Sequence, residues 1–185
     1  MKYKQQIMSP QDIVILLKII AINNEKWQQL DLAHTLGISQ SEVSKSIVRS
    51  KYAGLIDPSG KKVFKLALLD FLKSGITYVF PQKPGSLVKG IPTAHSALPL
   101  NSQIVSNEHY VWPSARGTLR GQAIEPLYPS VIKAVESDAI LYELLALVDT
   151  LRVGRAREKA MAIKALERLF FDAKSTNDGT KLLVL

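Results

Sequence analysis

The apolar positions of this chain fall into helical blocks near both ends, separated by a middle region with no helical period. The first block, 13–22, is apolar over more than one face, which predicts a helix that is central to a core or half of a subunit interface. Ser9, Pro10 and Asp12 suit the N-cap, the first position and the positive end of the dipole of that helix. Apolar stripes predict three further helices, over residues 65–74, 139–153 and 155–171.

The helix after Asp138 leaves little polar surface, and Asp138 is its predicted N-cap. Such a helix must be covered, either by this chain or by a second copy of it. Gly154 is its predicted end. Three arginines cluster at that break, where we expect a solvated helix junction; the alternative is contact with nucleic acid or an acidic partner. They are Arg152, Arg155 and Arg157.

Residues 30–56 have the pattern of two short helices joined by a tight turn. Gly37 ends the first helix and Ile38 fills the corner. Ser39 and Glu42 form a capping box that starts the second helix. The apolar face of the first helix comprises Leu30, Leu32, Ala33 and Leu36, and the inward face of the second, over 39–52, comprises Val43, Ile47 and Ser50.

The outward face of the second helix is unusual for a solvated surface. It carries hydroxyl and amide groups near its start and basic groups near its end. This order is expected when early side chains contact base edges and later ones contact phosphate. The members of this face are Gln40, Ser41, Ser44, Lys45, Val48 and Arg49.

The spacing of Ala33, Gly37 and Val43 matches the helix-turn-helix pattern: a small residue where the helices touch, a glycine in the turn and a branched apolar residue in the second helix. Over residues 9–75 the chain resembles winged-helix transcription regulators of the broad MarR-like kind. The resemblance implies a recognition helix that enters the major groove of DNA, followed by a β-hairpin wing. The structural alternative is a small helical hairpin without a role in DNA binding.

Residues 55–64 suit such a wing. Short strands are predicted at 55–56 and 61–64, joined by the turn sequence Asp-Pro-Ser-Gly. By resemblance, Lys61 and Lys62 would contact the DNA backbone or the minor groove. The alternative is a plain hairpin with solvated lysines.

The charge of the chain favours a polyanionic partner. It carries 24 basic and 16 acidic residues, a net charge of +8, and its pI is near 9.6. Residues 1–75 hold 11 basic and 6 acidic residues, a net charge of +5, whereas residues 76–185 hold 13 and 10, a net charge of +3. The excess is therefore concentrated in the half with the helix-turn-helix pattern.

Composition restricts the class of protein. No run of eighteen apolar residues and no signal peptide is found, so we expect a cytoplasmic protein that does not enter a membrane. The absence of cysteine excludes disulfides and cysteine-based zinc sites. His34, His95 and His109 stand alone in sequence, so we expect no enzyme, cofactor or metal. The alternative is a metal or acid–base site in which His95 and His109 meet Glu108 or Glu125.

The middle of the chain contains an internal repeat. Tyr-Val-aromatic-Pro occurs at 78–81 and at 110–113, and each copy is followed by a glycine, a leucine and then a basic residue before a second glycine. We expect two similar strand-and-loop units that pair about a pseudo-twofold axis and act as scaffolding. The alternative is binding of phosphate, a ligand or DNA backbone by Lys83, Lys89, Arg116 and Arg120.

These patterns predict an α+β protein with three regions. They are a winged helix-turn-helix domain over 1–75, a β-rich middle with the two repeat units over 76–128, and a helical dimerisation or partner-binding region over 129–185. The interface of a dimer would be the helix over 10–23 or the helix over 138–152. The final segment, 175–185, predicts a turn and a short apolar end that adds a strand or docks on a partner.

The predicted function is sequence-specific binding of double-stranded DNA by a homodimeric repressor, whose half-sites would lie about one helical turn apart. The alternative is an antitoxin that neutralises a partner toxin and regulates its own operon. That layout resembles antitoxins paired with nucleotidyltransferase-like toxins of bacterial abortive-infection systems. The predicted base contacts are Gln40, Ser41, Ser44 and Lys45, and the predicted backbone contacts are Ser39, Arg49, Lys51, Lys61 and Lys62.

Overall fold

The first apolar block folds as helix α1, Pro10–Ile22, which begins directly after the predicted N-cap, Ser9. The computed structural model describes residues 7–172. The other helices are α2 Gln29–Leu36, α3 Gln40–Tyr52, α4 Lys65–Ser74, α5 Ile76–Val79, α6 Val131–Ala134, α7 Ala139–Val153 and α8 Ala156–Phe171, and the strands are β1 Leu87–Pro92, β2 Tyr110–Pro113 and β3 Leu119–Ala123. The predicted α+β class is confirmed.

Helix α7 lies at the centre of the core, and its residues 144–152 are all buried. It packs against α1, α4, α5 and α8, so this chain supplies the cover that such an apolar helix requires. The same holds for α1, which is buried from residue 11 to 17. Within the described residues, neither of the two predicted interface helices presents a wide apolar face to a second copy.

Local capping signals set the helix boundaries. The Asp138 carboxylate accepts a hydrogen bond of 2.9 Å from the backbone N–H of Leu141, and α7 begins at the next residue after Asp138. Helix α8 follows the break at Gly154. The bounds predicted over 65–74 and 139–153 are confirmed by α4 and α7.

The sheet is small and closed. Strand β1 lies antiparallel to both β2 and β3, and β2 and β3 pair in parallel, so each strand contacts the other two. The register of β1 with β3 places Lys89 opposite Arg120, the equivalent basic residues of the two repeat copies. The glycine-leucine-basic ends of the repeat therefore do pair with each other.

The aromatic start of the first repeat copy, however, was predicted wrongly as a strand. Residues 76–79 form the short helix α5, whereas the second copy forms β2. Ile76 is fully buried, and the Thr77 hydroxyl donates a 2.8 Å hydrogen bond to the carbonyl of Leu151 on α7. Tyr and Val favour a β-strand, but contact with α7 outweighs this preference and the segment is helical.

The two wing strands predicted at 55–56 and 61–64 are reduced to a single bridge between Ile56 and Val63. The backbone N–H groups of Lys61 and Lys62 donate to the Asp57 carboxylate, at 2.7 and 2.8 Å, and are not available to a ladder. Helix α4 begins at Lys65. Too few residues remain between the turn and the helix for a second strand to extend.

Arg152 does not lie in a solvated junction, as the sequence predicted, but is buried. Its guanidinium donates to the carbonyls of Phe80 and Glu125, at 3.0 and 3.1 Å, and to the carboxylate of Asp149. Arg155 lies at the surface and pairs with Glu108. One of the three clustered arginines is therefore part of the core.

The core runs through all three predicted regions without a break. Helix α1 packs on α7, and α2 packs on α6. The boundaries at 75 and 128 stay a prediction. In the part of the chain that the structure describes, no helix is both long and apolar enough to cross a membrane. The strand or docking segment predicted at 175–185 lies outside the described residues.

Candidate nucleic-acid interface

Helices α2 and α3 pack against each other across the three-residue turn 37–39. Gly37 ends α2 with φ +64°, in the left-handed region that glycine favours. Leu30, predicted on the apolar face of α2, is 64% exposed, because a residue two positions before Leu32 points to the opposite side of a helix. The remaining members of that face are buried: Leu32, Ala33 and Leu36.

The first turn of α3 is fixed by the predicted capping box. The Ser39 hydroxyl oxygen accepts the backbone N–H of Glu42 at 3.2 Å, and the Glu42 carboxylate accepts the backbone N–H of Ser39 at 3.1 Å. Ser39 is exposed, but its hydroxyl already serves the helix. Its predicted contact with the DNA backbone would have to come in addition to this role.

The inner face of α3 carries few apolar groups. Val43 and Ile47 are buried as predicted, and so is Ser50. Ser46 is also buried, which places two serines against the rest of the molecule. Among the described residues, neither hydroxyl has a hydrogen-bond partner. Apolar burial alone therefore anchors α3 weakly.

The outer face of α3 is exposed at each of the four predicted base-contact positions, which are Gln40, Ser41, Ser44 and Lys45. In the described part of the chain, these four side chains take part in no side-chain hydrogen bond or ion pair. Positions one turn apart lie side by side on a helix, so the four form one polar surface at the N-terminal half of α3. Such a surface is free to meet an external partner.

The same face continues over Val48 and Tyr52, which are 51% and 77% exposed. Tyr52 is not among the contacts predicted from the sequence, although its spacing of four residues from Val48 and eight from Ser44 places it on the same face of the helix. An exposed phenol at a helix end can donate a hydrogen bond to phosphate. Tyr52 thus joins the candidate backbone contacts.

The turn 57–60 packs directly on α3. Gly60 has φ +74°, and a Cβ placed there would lie 2.8 Å from Cε of Lys51 and 2.9 Å from Cγ2 of Ile47. The left-handed φ favours glycine at this position, because a residue with a Cβ would be strained there. The exposed Lys51 therefore lies beside the turn, close to where the chain continues to the exposed Lys62.

Asp57 holds this turn together. Besides the N–H groups of Lys61 and Lys62, its carboxylate accepts a hydrogen bond from the hydroxyl of Ser59. These hydrogen bonds, led by the one from the backbone of Lys62, lower the pKa of Asp57 to about 2. The turn is therefore organised by an ionised side chain.

The Lys61 side chain is bound within the molecule. Its Nζ donates to the carbonyl of Trp27 at 2.6 Å and lies 4.3 Å from the centre of the Trp27 ring. The indole Nε1 of Trp27 donates in return to the carbonyl of Lys61 at 3.1 Å. The structure thus gives the two predicted wing lysines different surroundings: Lys61 is paired with Trp27, and Lys62 faces solvent.

The Arg49 side chain is also bound within the molecule. Its Nε donates to the Asp12 carboxylate at 2.8 Å, and its Nη2 donates to the second oxygen of the same group. The Asp12 side chain is fully buried and that of Arg49 is 20% exposed. The hydrogen bond to Asp12 raises the pKa of Arg49 above its ordinary value. Arg49 is thus half of an ion pair between α1 and α3.

The three histidines, two of which belong to the alternative metal or acid–base site, lie in different surroundings. His95 is buried, and its Nε2 lies 2.9 Å from the carbonyl oxygen of Glu108, whereas His34 and His109 are exposed. Within residues 7–172, no group of three or more metal-ligating side chains is found. The Nδ1 of His95 lies 3.8 Å from the Glu158 carboxylate.

Comparison of the chain with protein-family models, with curated proteins and with solved structures found no match. The α3 surface and its surroundings are therefore the basis of the functional assignment. The antitoxin alternative stays a prediction, since no contact among the described residues bears on a toxin partner.

Proposed function

We propose that the protein is a sequence-specific regulator that binds double-stranded DNA through α3. The observation that carries this proposal is the exposed polar surface at the start of α3, where amide, hydroxyl and ammonium groups have no partner within residues 7–172. On a solvated helix surface, oppositely charged side chains three or four residues apart form stabilising pairs, and the four positions of this surface form none among the described residues. This surface instead offers the hydrogen-bonding groups that recognise base edges.

In the proposed complex, the N-terminal half of α3 enters the major groove. Gln40 suits adenine, which offers an acceptor and a donor to an amide, and Lys45 suits the two acceptors of guanine. Ser41 and Ser44 can contact either base. Each well-formed contact of this kind discriminates against a wrong base by about 1–3 kcal/mol.

Phosphate contacts would flank this surface. Lys51 and Lys62 are exposed beside the turn that packs on α3, and Tyr52 is exposed at the end of the helix. These groups would fix the register of α3 without selecting sequence. Two copies of the protein would bind half-sites about one helical turn apart and repress by occupying a promoter.

The experiment is to select duplexes from a random-sequence library and then to measure binding by fluorescence anisotropy at two salt concentrations. A preference for the selected duplex over a scrambled duplex of roughly a thousandfold would support the proposal. Equal and steeply salt-dependent binding to both duplexes would overturn it, because charge alone would then account for the affinity.

Two variants test the surface itself. Lys45→Ala should reduce binding to the selected duplex and relax the preference at one or two base positions. Lys164→Ala removes the same charge from an exposed position on α8 and serves as the control. Equal effects of the two substitutions would contradict the assignment of base contacts to α3.

A further inference from the structure

The ion pair of Asp12 and Arg49 joins the start of α1 to the second half of α3. One oxygen of the Asp12 carboxylate accepts both the Nε of Arg49 and the backbone N–H of Ser9, each at 2.8 Å. The same group thus caps α1 and holds α3. A carboxylate that is fully buried has no access to an external partner.

The geometry of the pair is directional. An arginine fork that donates through two nitrogens to two carboxylate oxygens fixes the relative orientation of the two side chains, which a single point charge does not. Apolar packing contributes little else to holding α3 in place, because its inner face buries only two apolar residues beside two serines whose hydroxyls have no hydrogen-bond partner among the described residues. Among the described residues, this ion pair is the side-chain hydrogen-bonded link between α3 and α1.

We propose, on the basis of the DNA-binding function above, that the Asp12–Arg49 pair positions α3 for the major groove and that Arg49 is a positioning residue and not a phosphate contact. The opposite assignment follows from sequence alone, because Arg49 occurs near the end of the basic helix. In the folded chain its guanidinium is directed to α1 and its charge is balanced by Asp12.

The two assignments predict different effects of salt. An arginine that neutralises one phosphate contributes about 0.9 to the slope of log K against log salt concentration, and its loss removes that amount. The loss of a positioning arginine leaves this slope unchanged. It lowers instead the fraction of molecules in which α3 is held correctly. The apparent Kd then rises in proportion, about tenfold if a tenth of the molecules remain competent.

The experiment compares Arg49→Lys, Arg49→Met and Asp12→Asn, with binding measured to the selected and scrambled duplexes over a range of salt. We expect each variant to lose about tenfold or more in affinity for the selected duplex, with an unchanged salt slope on the scrambled duplex. Arg49→Lys is included because it keeps the charge and loses only the fork. Lys18→Met is the control, since Lys18 on α1 forms its ion pair, at 2.6 Å, with Asp138 at the start of α7 and not with a residue of α3.

A phosphate contact would give another pattern. Arg49→Met would lower the salt slope by about 0.9, Arg49→Lys would retain most of the affinity, and Asp12→Asn would bind both duplexes at least as well as the unmodified protein. That pattern would overturn the proposal. Amide hydrogen exchange provides the second measurement: α3 should lose protection in Asp12→Asn and Arg49→Lys, while α8 keeps its own.

Hydrogen exchange also separates this inference from the function on which it rests. If the unmodified protein does not distinguish the two duplexes, the proposed function fails. The positioning of α3 is then decided by exchange alone, and unchanged protection of α3 in both variants would overturn it. If the duplexes are distinguished and the variants behave like Lys18→Met, only the positioning role fails.

Discussion

The carboxylate of Asp149 on α7 accepts a hydrogen bond of 2.6 Å from the indole Nε1 of Trp112 on β2, and both side chains are buried. The same oxygen accepts the hydroxyl of Thr93 at 2.8 Å, and the other oxygen accepts Arg152 at 2.7 Å. Burial raises the pKa of Asp149, and the attraction of Arg152 opposes that change. This cluster fastens the closed sheet to the central helix.

Asp149→Asn should strongly destabilise the protein. The substitution removes the negative charge that balances the buried guanidinium of Arg152, and an unpaired buried charge costs about 3–5 kcal/mol in the free energy of unfolding. Urea denaturation followed by circular dichroism measures this loss. Glu167→Gln, which breaks the exposed pair with Lys73, should change stability by less than about 1 kcal/mol and is the control. Similar losses in both variants would argue against the importance of the buried cluster.

Gly90→Ala should separate the strands of the closed sheet. A Cβ at this position would lie 2.2 Å from the backbone oxygen of Trp112, and backbone cannot move aside as a flexible side chain can. We expect a loss of about 1–3 kcal/mol in the free energy of unfolding. Gly85→Ala is the matched control, because its Cβ would meet the Cβ of Ala123 at an ordinary 3.5 Å. Thermal unfolding should show a large decrease in Tm for the first variant and little change for the second.

Much of the fold could be predicted because it is set by neighbouring residues. The start of α7 follows from Asp138, and the start of α3 follows from Ser39 and Glu42. Capping groups lie within three residues of the groups that they satisfy, so their pattern is visible in the sequence. The inward and outward faces of α3 follow from helical spacing for the same reason.

Which basic side chains are bound within the molecule could not be predicted, because their partners are distant in sequence. Arg49 and Asp12 are 37 residues apart, and Lys61 and Trp27 are 34 residues apart. Helical spacing places Arg49 on an outward-facing stripe, but only the packing of α3 on α1 shows that its guanidinium has a buried partner. In the same way, contact with α7 decides that the residues after Gly75 continue as a helix.

The turn that packs on α3 should loosen in acid. Asp57 has a pKa of about 2 in the folded protein, below its ordinary value of 3.8, so the folded state favours the ionised carboxylate. Its contribution to stability is fully present above pH 3.8 and is lost as the pH falls through about 2. The amide NMR signals of Ser59, Lys61 and Lys62 should titrate with a midpoint near 2. Asp57→Asn should remove that titration, and a midpoint near 4 would contradict the hydrogen bonding described for this turn.

Lys61 and Lys62 are adjacent in sequence and should nevertheless have different roles. The ammonium group of Lys61 lies over Trp27 and donates to its carbonyl, so Lys61→Met should destabilise the fold by about 1 kcal/mol and leave the salt dependence of DNA binding unchanged. Lys62 is exposed beside the turn, so Lys62→Ala should weaken binding to selected and scrambled duplexes alike and reduce the salt slope by about 0.9. Urea denaturation and anisotropy titrations over salt measure the two effects, with Lys164→Ala as the charge-matched control. A reduced salt slope for Lys61→Met with no loss of stability would mean that Lys61 leaves Trp27 to contact phosphate, and the pairing seen in the free protein would then have to break on binding.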